Sequence, residues 1–72
     1  MGMISQYDRK LGETIRGLRK QANFTQEKLS EQVGISAKYL QYIESGTRQP
    51  SLRTVYKLAR HLKVKVKDLF EF

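Results

Sequence analysis

Between Thr25 and Gly46 two helical patterns are separated by nothing but Gly34 and Ile35. That linkage is too short for an antiparallel hairpin. It works only if the glycine turns the chain sharply at positive φ while Ile35 pins the turn to a core. Thr25 caps the first pattern, with Glu27 favourably placed near its positive N-terminus, and Leu29, Ser30 and Val33 point inward. Ser36 caps the second, which runs to Ser45 and stops at Gly46. At about 100° per residue, Leu40 and Ile43 form the buried stripe of this second helix. Lys38, Gln41, Tyr42 and Ser45 project from the opposite side, and Tyr39 and Glu44 flank the stripe. Such a helix stands proud of its domain, and it is about as wide as a DNA major groove.

The remaining segments read as helical too. Asp8 is positioned to cap a helix whose apolar residues Leu11, Ile15, Leu18 and Ala22 follow helical spacing, with Asn23 as its left-handed stop. Thr47 to Pro50 form a loop. Ser51 caps a further helix with Leu52, Val55, Leu58, Ala59 and Leu62 inward, and a short fifth turn near Val66 carries Leu69 and Phe70. Val64 to Lys67 is the one alternating stretch, too short to pair as a strand. The expectation is an all-α fold of five helices: an N-terminal arm over 1–8, partly disordered, and a single domain over 9–72.

Charge then narrows the partners. Fourteen Lys and Arg against seven Asp and Glu leave the 72-residue chain at +7, with a pI near 10.0. That excess suits a polyanion, either nucleic acid or an anionic membrane surface. The charge is not gathered on one face of a single amphipathic helix, and no apolar run approaches a membrane span, so the membrane reading is weak. With no cysteine there is no disulfide or thiolate metal site, which suits a cytoplasmic location. One histidine, and aspartates only at Asp8 and Asp68, provide neither a nucleophile–base pair nor a metal cluster. No enzyme activity, cofactor, metal or small-molecule ligand is expected.

Residues 9 to 70 resemble the helix-turn-helix domain of phage-repressor and Xre-type regulators, including the small controller proteins of restriction–modification systems. The resemblance is carried by IRGLR, TQEKL, Gly34-Ile35-Ser36, Tyr39-Leu40, Ile43 to Gly46, Arg48, Pro50-Ser51-Leu52 and the closing DLF. Ser30 stands where the family usually has alanine, and Ala37-Lys38 where some members carry glutamines. The resemblance implies a sequence-specific regulator of transcription bound to double-stranded DNA. Ala37, Lys38, Gln41 and Tyr42 would read base edges, and Gln26, Ser36, Tyr39, Thr47, Arg48 and Gln49 would lie on phosphates. It further implies that Arg19 pairs with Glu44, which the helical geometry permits.

The other basic side chains, Arg16 and the run from Lys57 to Lys67 among them, read as solvated surface. One domain offers a single reading helix, and the late apolar residues Leu69, Phe70 and Phe72 exceed what so small a core needs. A homodimer through those residues on a two-fold operator follows. The alternative is an antitoxin or adaptor of the same fold, using Tyr56, Phe70 and Phe72 to hold another protein.

Overall fold

The computed structural model describes residues 6–72, and they form four α-helices followed by a 3₁₀ helix: α1 (Gln6–Gln21), α2 (Gln26–Val33), α3 (Ala37–Ser45), α4 (Leu52–Leu62) and Val66–Phe70. The all-α expectation holds, but the fifth element is a 3₁₀ turn. Its five residues are too few for a cooperative α-helix. Asp68 closes it locally by accepting the Lys65 backbone N–H at 2.9 Å. No strand occurs among the described residues.

Capping side chains set the starts of the inner helices. Thr25 Oγ1 accepts from Lys28 N at 3.0 Å, Ser36 Oγ from Tyr39 N at 3.0 Å, and Ser51 Oγ from Thr54 N at 3.1 Å. Gly34 (φ 85°) and Gly46 (φ 81°) end α2 and α3 in the left-handed region, and Asn23 adopts φ 62° after α1. Lys63 ends α4 at φ 60°, a position where the sequence carries no glycine or asparagine signal.

Three boundary readings are corrected. Helix α1 begins at Gln6, so Asp8 lies inside its first turn rather than at its cap, and residues 6–8 of the expected arm are helical. Residues 1–5, the rest of that arm, lie outside the described residues. Ala22 falls beyond the end of α1 and is exposed. Leu52 is 64% exposed, because the first residue of α4 sits before the helix settles onto the core.

The core joins all five elements. Ile15, Leu29, Leu40, Ile43, Leu58 and Leu69 are fully buried at its centre. Helix α1 packs chiefly on α3; α2 packs on α3 and α4; the 3₁₀ helix closes against α1 and α4. At Gly12 the approach of α1 to α3 is at backbone distance, and a Cβ there would overlap the carbonyl oxygens of Ile43 and Glu44. The radius of gyration, 11.0 Å, equals the ~11 Å expected of a folded chain this long. One copy therefore encloses a complete core.

Candidate nucleic-acid interface

The turn is built as its residue types require. The N–H groups of Gly34 and Ile35 both donate to the Ser30 carbonyl, at 2.8 and 3.0 Å, and Ile35 packs half-buried against the core. The left-handed backbone at Gly34 is what lets Ser36 restart a helix two residues later.

On α3, Lys38 and Gln41 are exposed and Ala37 and Tyr42 are half-buried. The side chains of Lys38 and Gln41 make no hydrogen bond or ion pair with any described residue. The Ser45 hydroxyl is differently engaged. It donates to the Tyr42 carbonyl at 3.0 Å and lies 2.7 Å from Thr47 Oγ1. Tyr39 turns its ring against the core, and only part of the side chain remains accessible.

Behind this face lies a buried polar network. Glu44 is itself buried rather than flanking. Its carboxylate accepts from Arg19 Nε at 2.7 Å, Arg19 Nη2 at 3.0 Å and Gln26 Nε2 at 3.0 Å. Arg19 Nη1 donates to the Phe24 carbonyl at 2.8 Å. One carboxylate thus ties α1, the start of α2 and α3 together through charge-assisted bonds, the fork of the guanidinium matching its two oxygens. Gln26 is held by this contact, and its other amide N–H makes no bond to a described residue.

An open cleft of about 630 Å³ runs between α1, the first turn of α2 and α3. Arg16, Gln26 and Gln41 share its walls. Arg16, read from the sequence as solvated surface, is thereby brought beside two of the candidate DNA contacts. Its spacing of three residues from Arg19 on α1 was the available signal.

In the loop after α3, Thr47, Arg48 and Gln49 are all exposed. Thr47 Oγ1 donates to the Tyr42 carbonyl at 3.1 Å, and the Arg48 guanidinium carbon lies 5.4 Å from the centroid of the Tyr42 ring. Gln49 is carried toward another surface, a cleft of about 580 Å³ that it shares with Tyr7, Leu52, Phe70 and Phe72.

The three residues assigned to a dimer contact separate. Leu69 is 0% exposed and belongs to the chain's own core, so it is withdrawn from that surface: the 3₁₀ helix needs one apolar anchor, and Leu69 is it. Phe70 and Phe72 remain 48% and 47% exposed, their rings 6.5 Å apart.

Two capped helices joined through a left-handed glycine, the second presenting free polar side chains outward, define a helix-turn-helix domain. Residues 15–69 match the family model described as Helix-turn-helix, HTH_3. The chain belongs to this family, the Xre-type helix-turn-helix transcriptional regulators.

A regulator of Archaeoglobus fulgidus known only as an uncharacterized HTH-type transcriptional regulator is 40% identical over 58 residues, covering 81% of this chain and 83% of that protein. The restriction-modification controller protein C.AhdI from Aeromonas hydrophila has a similar structure, with a TM-score of 0.84 at 34% identity over 86% of this chain and 94% of that one. SinR, the master regulator for biofilm formation, solved in complex with DNA, matches with a TM-score of 0.80 at 29% identity over 85% of this chain and 98% of that one. Among the described residues no helix is long and apolar enough to cross a membrane.

Proposed function

We propose that the chain acts in the cytoplasm as a homodimer on a two-fold operator, with α3 of each copy entering the major groove to read sequence. The observation that carries this reading is the contrast across α3. The Lys38 and Gln41 side chains stand outward without a partner among the described residues, while the face behind them is fixed by a fully bonded carboxylate. A solvated helix needs no such support. A helix that must place donors against base edges within a fraction of an ångström does.

Lys38 suits guanine O6 and N7, Gln41 suits adenine, and Ala37 can meet a thymine methyl. Ser36, Tyr39, Gln26, Thr47 and Arg48 are assigned to phosphates, and their contacts set register rather than sequence, whereas Gln49 faces the apolar cleft. Size supports pairing. The described chain measures 31 × 24 × 20 Å, whereas successive major-groove half-sites lie about 34 Å apart. One copy reaches one half-site; two-fold reading takes a second copy.

Selection of bound duplexes from a random pool tests the proposal directly. It should return an inverted repeat. On the selected operator Lys38→Ala should lose on the order of 1–3 kcal/mol and relax preference at one base pair of each half-site. A pool that fails to enrich, or an unchanged preference in Lys38→Ala, would overturn the assignment of α3 as reader.

A further inference from the structure

Tyr42 is held to the following loop at two points. Its carbonyl accepts from Thr47 N at 3.0 Å, Arg48 N at 3.3 Å, Ser45 Oγ at 3.0 Å and Thr47 Oγ1 at 3.1 Å. Its ring lies beneath the Arg48 guanidinium, 5.4 Å from carbon to centroid. Arg48 has no carboxylate within 4.0 Å among the described residues, so the ring is what orients its charge. The side chain of Tyr42 is half-buried, and a ring face that carries a cation is not available for a base.

From this geometry we infer that Tyr42 is a positioning residue rather than a base reader: it folds the loop back onto the C-terminal end of α3 and presents Arg48, from the face of its ring, to a DNA phosphate. The inference rests on the DNA-binding reading above and revises the expectation, drawn from the family resemblance, that Tyr42 reads a base edge. Base reading then falls to Ala37, Lys38 and Gln41, in the N-terminal half of α3. The C-terminal half, with the loop, serves affinity.

The physical logic lies in conformational freedom. An arginine on an exposed loop loses rotamer entropy when it docks on a phosphate. Held over an aromatic ring, the guanidinium is already confined, and its N–H groups remain free for the anion. The ring also draws the guanidinium toward α3. Removing the ring leaves the charge but not its place, so the effect should be that of removing a phosphate anchor: equal on every sequence.

The experiment measures affinity for the selected operator and for random duplex across salt concentration, in the parent, Tyr42→Leu, Tyr42→Phe, Arg48→Ala and the double variant Tyr42→Leu with Arg48→Ala. Tyr42→Leu should weaken both duplexes about two- to fivefold. Its log–log salt slope should fall toward that of Arg48→Ala, which is lower by roughly 0.9 for each phosphate that is no longer neutralised. Tyr42→Phe should rescue both readouts, since the ring and not the hydroxyl holds the cation. Arg48→Ala should cost clearly less in the Tyr42→Leu background than in the parent.

A loss confined to the operator, with no rescue by phenylalanine, would show Tyr42 reading a base and sink the inference. So would an Arg48→Ala effect of the same size in both backgrounds. Proton spectra of the parent give a second test that needs no substitution in α3. The Arg48 side-chain signals should be displaced upfield by the ring, and unshifted signals overturn the contact. Failure of the DNA reading itself looks different: the parent would then show neither operator preference nor salt-sensitive binding.

Discussion

Glu44 is the residue whose removal should be felt most. It receives three hydrogen bonds, two of them from a guanidinium that is itself buried, and no buried side-chain polar atom among the described residues lacks a partner. Glu44→Ala would strand the Arg19 charge with only the Phe24 carbonyl and release Gln26. Breaking a buried pair from one side leaves an uncompensated charge, so the variant should lose on the order of 3 kcal/mol in denaturant unfolding. Arg19→Met combined with Glu44→Leu should lose less than that single change, because no buried charge is then left over. A Glu44→Ala unfolding curve that overlays the parent would mean the network contributes nothing to stability.

Among the elements, α1 and α3 meet most closely, and two glycines of α1 separate the effect of packing from that of helix propensity. Gly12 faces the carbonyls of Ile43 and Glu44 with no space for a methyl group, whereas a Cβ on Gly17 would meet nothing within 4 Å. Gly12→Ala must push α1 off the last turn of α3 and should cost at least ~1–3 kcal/mol, the range of core overpacking. Gly17→Ala, in an exposed helix interior, should instead stabilise by about 0.5–1 kcal/mol by reducing unfolded-state freedom. Thermal melts of the two variants should therefore shift in opposite directions. Shifts of the same sign would disprove the close approach. Since Gly12 abuts the residues that end α3, its alanine variant should also weaken operator binding by tilting the reading helix.

At the scale of the whole molecule, the exposed large apolar side chains other than Tyr56 gather on one surface. Tyr7, Leu52, Phe70 and Phe72 are exposed and line one cleft, with Leu11 and Val55 at its base. Each copy folds around its own core, so pairing should be reversible rather than a condition of folding. Sedimentation at tens of micromolar should show dimer. Phe70→Ser with Phe72→Ser should shift it to monomer while leaving the melting transition of the chain nearly intact, because both side chains are about half exposed before pairing. A monomer at those concentrations and on operator DNA would defeat the homodimer. A stable complex with a different protein through the same cleft would favour the adaptor reading instead.

What could be read from residue order alone is what local chemistry determines. Thr25, Ser36 and Ser51 as caps, Gly34 and Gly46 as left-handed stops, and the apolar periods of α2, α3 and α4 each depend on neighbours within about one turn. These signals also defined the helix-turn-helix and its outward polar face. Where periodicity misled, the cause was an end effect: Ala22 and Leu52 continue a helical wheel, but they sit where the helix has already left the core or not yet reached it.

The tertiary structure alone decided matters in which distant residues compete for one place. Leu69 could serve a core or an interface, and only the packing of the 3₁₀ helix against α1 and α4 settled that it fills the core. No periodicity marks Gly12, because the backbone it must admit lies more than thirty residues away in the sequence. Hydrogen bonds and turns between near neighbours are properties of short peptides. Steric exclusion and the sharing of a buried surface arise only once the whole chain has closed.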